Sequence, residues 1–106
     1  MKYTIIYTKS FEVQLEKVVD YCSKNFSSEI AYNYYLEIKR SISNLSSFPY
    51  LGGKFYNIIN KRKIYRMIPI RKHVIIYDVN ENENQIILYA IISFKQQYSN
   101  IIRNIN

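Results

Sequence analysis

The alternation of apolar and polar residues predicts four β-strands, at residues 3–7, 64–70, 73–80 and 85–92. Each segment is short and rich in β-branched and aromatic side chains, as strands are. The last two are apolar on both faces, which favours positions at the centre of a sheet. In the last strand, simple alternation predicts one face made of Ile86, Leu88, Ala90 and Ile92, and an opposite face made of Ile87, Tyr89 and Ile91.

Two amphipathic helices are predicted between the first and second strands. Thr8 or Ser10 is expected to cap the first helix, and Ser27 or Ser28 the second, which ends before Pro49. The link between the helices is short, so they must be antiparallel. The apolar positions at helical spacing are Phe11, Leu15, Val18, Val19, Cys22 and Phe26 in the first helix, and Ile30, Ala31, Tyr34, Ile38, Ile42 and Leu45 in the second.

The predicted fold is an α+β domain, with an N-terminal strand and a helical hairpin packed on a four-stranded, mainly antiparallel sheet. No repeat or linker divides the sequence, so residues 1–106 are predicted to form a single domain. Residues 48–53 contain both glycines and are expected to form a structured turn, with positive φ or close backbone approach. Pro69 has no N–H to donate, so it should lie near its strand's end or at an unpaired position. A short helix is expected in the C-terminal tail.

The positive charge is concentrated in the middle of the chain. The net charge is +7, and residues 38–77 contain nine Lys and Arg but no Asp or Glu. A cationic surface on a rigid sheet is typical of polyanion binding, although a generally basic, soluble surface is the alternative. The residues expected to contact nucleic acid are Lys54, Lys61, Arg62, Lys63, Arg71, Lys72 and Lys95.

Several classes of protein are excluded by composition. Cys22 is the only cysteine, which rules out an internal disulfide, and with a single His the chain is not expected to bind a structural metal or other cofactor. No apolar run approaches the roughly 20 residues that a membrane span requires. The N-terminus has no signal-peptide pattern, so we expect a cytoplasmic protein.

The order of elements and several motifs resemble a known superfamily. After the helical hairpin come an F-P-x-x-G turn at 48–52, the pair Tyr65-Arg66, H-V-I-I-Y-D-V at 73–79, and I-I-L-Y-A-I-I-S-F-K-Q-Q-Y at 86–98. This pattern is similar to the RelE/ParE superfamily of type II toxin–antitoxin toxins, also called plasmid stabilisation proteins. The resemblance implies either ribosome-dependent mRNA cleavage, as in RelE-like members, or inhibition of DNA gyrase, as in ParE-like members.

The resemblance also implies an antitoxin whose C-terminal segment wraps the toxin. An acidic segment is expected, because the chain is basic. The strands at 73–79 and 85–92 are expected to offer more apolar surface than one helical hairpin covers. An added strand or amphipathic helix from the antitoxin is therefore expected to cover the rest.

The family pattern implies that Arg66 and Tyr98 take part in RNA cleavage, and His73 is a candidate acid or base at neutral pH. The sequence departs from the family at two places. Many relatives have H-x-x-R-D after the last strand, where this chain has S-F-K-Q-Q at 93–97, and a common Arg is replaced by His73-Val74. A metal-independent endoribonuclease is the first expectation. A ParE-like gyrase inhibitor and a non-catalytic relative that only binds its antitoxin or RNA are the alternatives.

Overall fold

The described part of the chain folds as two helices against a five-stranded mixed sheet. The structure is a computed structural model that describes residues 2–56 and 64–93, without the side chains of Phe55 and Tyr56. The elements in chain order are β1 (Thr4–Tyr7), α1 (Lys9–Asn25), α2 (Ser28–Ser47), β2 (Gly53–Tyr56), β3 (Ile64–Ile70), β4 (His73–Asn80) and β5 (Gln85–Ser93). The predicted α+β architecture is confirmed. The strand count is corrected from four to five, because Gly53–Tyr56 pairs with β3.

The sheet has the order β1-β5-β4-β3-β2. β1 runs parallel to β5, and the other neighbouring pairs are antiparallel. β4 lies at the centre with β5 beside it, as their apolar character predicted. Pro69 pairs with Val74 of β4, while β2 reaches along β3 only as far as Met67. Pro69 therefore lies near the end of its strand and beyond the paired part of β2, where its missing N–H costs little.

Both helices begin at a predicted cap. The Thr8 hydroxyl accepts a hydrogen bond from the Phe11 backbone N–H at 3.2 Å and donates one to the Leu88 carbonyl at 2.6 Å. Ser27 caps α2 by accepting from the Ile30 N–H at 3.1 Å. Such caps typically contribute about 1 kcal/mol each. Thr8 also ties the start of α1 to β5, which fixes the helical hairpin on the sheet.

The helix-side core lies between the hairpin and one face of the sheet, and it uses most of the predicted apolar stripes. Two predicted members are wrong. Phe26 is the C-cap of α1, and Ile30 lies one position away from the buried stripe that begins at Ala31, so both side chains are more than half exposed. The buried residues of this core are Phe11, Leu15, Cys22, Ala31, Tyr34, Ile38, Ile42, Leu45, Ile70, Ile75, Tyr77, Ile86, Leu88 and Ile91.

A second cluster lies on the opposite face of the sheet. It consists of Tyr65, Val74, Ile76, Ala90 and Ile92, each no more than 6% exposed in the chain on its own. Tyr65 and Tyr89 meet edge-to-face with ring centroids 5.5 Å apart. These side chains are already buried without a partner. The expectation that an antitoxin segment is needed to cover this apolar face is therefore corrected.

A β-bulge in β5 divides its side chains between the two cores. Ile76 pairs with Ala90 and Tyr77 pairs with Leu88, so the ladder passes over Tyr89. The extra residue reverses the alternation. Leu88 consequently belongs to the helix-side core, while Ala90 belongs to the second cluster. The prediction of one uninterrupted alternation along this strand is wrong for this reason.

In the described part of the chain, neither helix is long and apolar enough to cross a membrane.

Candidate functional site

The turn between α2 and β2, residues 48–52, is here named the aromatic turn, and a buried tyrosine fixes its backbone. The Tyr77 hydroxyl accepts a hydrogen bond from the Gly52 N–H at 2.8 Å and donates one to the Pro49 carbonyl at 2.9 Å. Tyr77 is fully buried on central strand β4. Burial raises the pKa of Tyr77, so the phenol keeps its proton for the bond to Pro49. One side chain thus satisfies two backbone groups of the turn.

Arg66 provides the second attachment of the aromatic turn. Its Nη1 donates to the Gly52 carbonyl at 2.7 Å and contacts the Tyr50 carbonyl at 3.4 Å. The guanidinium carbon lies 4.8 Å from the Tyr50 ring centroid, in a cation–π contact. Alternate residues of a strand share a face, so Arg66 lies on the same side of β3 as the core residues Ile68 and Ile70. The predicted catalytic arginine is therefore bound to the protein's own backbone.

Gly52 is required by close packing rather than by an unusual backbone angle. A Cβ atom at this position would lie 2.7 Å from the Met67 carbonyl oxygen and 2.8 Å from the Tyr77 hydroxyl. Neither glycine has a positive φ, and a Cβ on Gly53 would meet nothing within 4 Å. The predicted close approach is confirmed at Gly52, and the positive-φ alternative is wrong.

His73 contacts helix α2. Its Nδ1 lies 2.7 Å from the Tyr34 hydroxyl, which itself donates to the Ile70 carbonyl at 3.0 Å. Because Tyr34 has one proton and uses it on Ile70, we assign the His73 Nδ1–H as the donor to Tyr34. Burial lowers the pKa of His73 and raises the pKa of Tyr34 to about 12. At neutral pH His73 is therefore an uncharged group that joins the sheet to the hairpin.

The lowered pKa of His73 makes the stability of the chain depend on pH. Because the folded-state pKa of His73 lies below the unfolded value, the unfolded chain binds the proton more readily. The stabilisation is complete above the ordinary His pKa of about 6.5 and is lost as pH falls below it. We expect His73→Asn, which keeps a donor near the Nδ1 position, to flatten the decline in unfolding free energy between pH 7 and 5.5. The limiting slope for one proton is about 1.4 kcal/mol per pH unit. Equal pH dependence of the unfolding free energy in urea titrations of both proteins would contradict a lowered pKa of His73 in the folded chain.

The expected nucleic-acid contacts lie in separate places. Lys54 is exposed on β2 opposite Arg66, whereas Arg71 and Lys72 form the exposed turn between β3 and β4. Arg71 has a φ of 53° and donates from Nε to the Glu37 carboxylate at 2.7 Å. Arg66 and the Arg71–Lys72 turn are separated by most of β3, about 13 Å or more. The other candidates, Lys61, Arg62, Lys63, Lys95 and Tyr98, lie outside the described residues.

A groove of about 680 Å³ runs between the two helices. Leu15 and Val19 give it apolar lining, Glu12 and Glu16 lie on its α1 side, and Lys39 lies on its α2 side. The Lys39 ammonium donates to the Tyr7 hydroxyl at 2.6 Å and lies 4.3 Å from the centroid of that ring. Among the described residues, no group of three or more His, Cys, Asp and Glu side chains is arranged to hold a metal ion. The groove is thus a mixed apolar and charged surface.

Comparison with known proteins identifies the family. The sequence model of the ParE toxin of the type II toxin–antitoxin system parDE matches residues 5–98. The chain belongs to the ParE toxin family. No curated protein sequence is significantly similar to it.

Two solved structures have the same fold as this ParE-family chain. The chromosomal ParDE toxin–antitoxin system from P. aeruginosa aligns with a TM-score of 0.69 at 13% identity, covering 87% of this chain and 96% of the other. The toxin–antitoxin complex RelBE2 from Mycobacterium tuberculosis aligns with a TM-score of 0.62 at 11% identity, covering 91% of this chain and 95% of the other. At these identities the likeness concerns the fold. It agrees with the RelE/ParE resemblance of the sequence motifs.

The family's F-P-x-x-G turn was visible in the sequence, but the residues that support it were not. Tyr77 is 25 positions from Gly52 and Arg66 is 14 positions away. A tyrosine within an apolar, centrally placed strand was the available indication, since a buried phenol needs a hydrogen-bond partner. In this ParE-family chain that partner is the aromatic turn.

Proposed function

We propose that this chain is the toxin of a type II toxin–antitoxin pair, that it acts by binding its target rather than cutting RNA, and that the target is DNA gyrase. The ParE family match supports the toxin assignment. The engagement of Arg66 and His73 in contacts within the fold supports binding over cleavage. That engagement is the observation on which the choice of mechanism rests.

RNA cleavage without a metal needs a base for the 2′-hydroxyl, a cation for the phosphorane and an acid for the leaving oxygen. Arg66 uses Nη1 on the Gly52 and Tyr50 carbonyls, which holds its guanidinium against the aromatic turn. His73 uses Nδ1 on Tyr34, and its lowered pKa leaves the ring uncharged at neutral pH, so the protonated form that could serve as the acid is not the one present. The two side chains share the helix-covered side of the sheet but are separated by four residues along the β3–β4 ladder, about 13 Å. They do not converge on one scissile phosphate.

Metal-independent mRNA cleavage remains the second candidate function. The cationic middle of the chain and the structural likeness to RelBE2 favour it. In that mechanism Tyr98 and the cations at 61–63 and 95 would supply the chemistry, together with the surface that binds the ribosome and mRNA.

We propose that the neutralising partner is an acidic antitoxin. Both similar structures belong to toxin–antitoxin systems, and a net charge of +7 favours an acidic partner. Among the described strands β2 lies at one edge of the sheet. A partner strand could add there, because edge strands offer N–H and C=O groups for pairing.

The test is to induce the chain in cells and assay gyrase and transcripts in parallel. We expect growth arrest, blocked DNA supercoiling and intact mRNA 5′ ends, and we expect His73→Asn to arrest growth as the wild type does. His73 is the better probe, because replacing Arg66 would also remove contacts of the aromatic turn. New mRNA 5′ ends with normal supercoiling would instead establish the cleavage mechanism, and their loss in the His73 variant would show that His73 takes part in it.

A further inference from the structure

The aromatic turn presents large apolar side chains to solvent. Phe48 is 63% exposed, Leu51 57% and Tyr50 45%. Scattered apolar residues are common on protein surfaces, but three within four positions form a patch of the kind that marks interaction sites. The patch therefore needs an explanation beyond the packing of the turn.

The backbone beneath these side chains is fixed at several points. Tyr77 bonds to both Pro49 and Gly52, Arg66 bonds to Gly52, and the Leu51 N–H donates to the Phe48 carbonyl at 3.1 Å. A surface held in one conformation loses little conformational entropy on binding, so less of the favourable free energy of its contacts is offset. Apolar and aromatic side chains on such a surface are typical binding hot spots.

The charges beside the patch indicate what kind of partner it fits. Arg66 stacks on Tyr50, and Lys54 is the direct cross-strand partner of Arg66. Neither cation has a carboxylate partner among the described residues, in contrast to Arg71, which is paired with Glu37. The backbone carbonyls of Gly52 and Tyr50 accept from Nη1 of Arg66 but do not neutralise its charge. A carboxylate from a partner would do so.

We propose that the aromatic turn, with Lys54 and Arg66, is the docking surface for an acidic polypeptide segment that also has aliphatic side chains. The identification of this segment as part of the antitoxin rests on the proposed function. A nucleic acid fits the surface less well. Leu51 has no ring on which a base could stack, and one side of the Tyr50 ring is already occupied by Arg66.

The test uses single exposed-residue variants of the full chain. Phe48→Ser and Leu51→Ser remove the apolar contacts, and Tyr32→Ser is the matched control. Tyr32 is 61% exposed and lies 16 residues from Phe48 on α2, about 24 Å away. Affinity for the purified product of the adjacent reading frame is measured by calorimetry, and the melting temperature is measured for each free chain.

We expect Phe48→Ser and Leu51→Ser each to weaken binding at least tenfold at an unchanged melting temperature, while Tyr32→Ser binds as the wild type does. Lys54→Glu should weaken binding more at low than at high salt, because salt screens exposed charges. Wild-type affinity in both turn variants would overturn the proposal. So would retained antitoxin affinity combined with lost affinity for a single-stranded oligonucleotide, which would assign the surface to nucleic acid.

Growth arrest by the wild-type chain alone tests the proposed function separately. A chain that binds the adjacent gene product through the aromatic turn without arresting growth would remove the toxin assignment and leave the docking surface in place. If the wild-type chain arrests growth and the Leu51→Ser variant binds the antitoxin as tightly as the wild type does, the toxin assignment stands and the docking surface is removed.

Discussion

Gly52→Ala is expected to lower the free energy of unfolding by about 3 kcal/mol, the upper part of the usual range for overpacking a tight site. The added Cβ would lie 2.7 Å from the Met67 carbonyl oxygen, 2.8 Å from the Tyr77 hydroxyl and 2.9 Å from Tyr77 Cε1. The first of these atoms belongs to the backbone of β3, and the others belong to a fully buried ring. None of them is the end of a flexible side chain, so the turn itself must move, and moving it breaks the bonds from Tyr77.

The neighbouring glycine provides the control. Gly53 precedes Lys54 at the start of β2, has no positive φ, and has open space where a Cβ would be placed. Gly53→Ala should therefore change the unfolding free energy by no more than about 0.5 kcal/mol, or stabilise slightly by restricting the unfolded chain. Urea unfolding of both variants separates close packing from backbone flexibility. Similar losses in the two variants would show that Gly52 is not specially constrained.

The variant also connects stability with recognition. At a low temperature where Gly52→Ala is folded, the variant should still bind the antitoxin more weakly than the wild type does. The displaced turn would no longer hold Phe48, Tyr50 and Leu51 in their common arrangement. Gly53→Ala should retain affinity.

The helical part of the fold was predictable because its determinants are local. Thr8 and Ser27 each cap a helix by accepting a hydrogen bond from the backbone N–H three residues later. The buried stripe of α2 follows from the helical spacing of the apolar residues between Ala31 and Leu45. Local hydrogen bonds and helical periodicity are properties that a sequence contains directly. The errors at Phe26 and Ile30 occurred beside the link between the helices, where periodicity alone does not locate the last buried position.

The sheet was less predictable where its geometry depends on distant partners. β2 has four residues, begins at Gly53 and directly follows Gly52, so its composition gave little indication of a strand. The bulge at Tyr89 depends on the register between β4 and β5, and it moved Ala90 to the opposite face. Neither feature has a local pattern that distinguishes it from a loop or a regular strand.

The candidate site shows the same division. Arg66 was selected as catalytic from its place in the family pattern, and Tyr98 with it. The sequence could not reveal that Nη1 of Arg66 would donate to backbone carbonyls 14 and 16 positions away. For His73, the contact with Tyr34 spans 39 positions. A residue type suited to catalysis is equally suited to satisfying buried polar groups, and only the fold determines which use it serves.

Ile76→Ala is expected to destabilise the free chain by about 3 kcal/mol, as for other fully buried isoleucines cut back to alanine. Ile76 is completely buried in the second cluster, on the face of the sheet away from the helices. Ile75→Ala is the matched comparison, because Ile75 is the preceding residue of β4, is equally buried, and belongs to the helix-side core. Both variants should therefore lose similar stability when the chain is unfolded in urea without an antitoxin.

The comparison decides whether the second face is a core or an interface. If Ile76→Ala costs less than about 1 kcal/mol while Ile75→Ala costs the expected amount, that face is weakly packed in the free chain and is available for a partner. Similar losses mean that the second cluster is complete without the antitoxin. The antitoxin must then obtain its affinity from surfaces that remain exposed in the free toxin. Within the described residues, the aromatic turn supplies exposed apolar side chains, and the adjacent Lys54 and Arg66 supply cations that have no carboxylate partner. Together they form the surface best suited to that role.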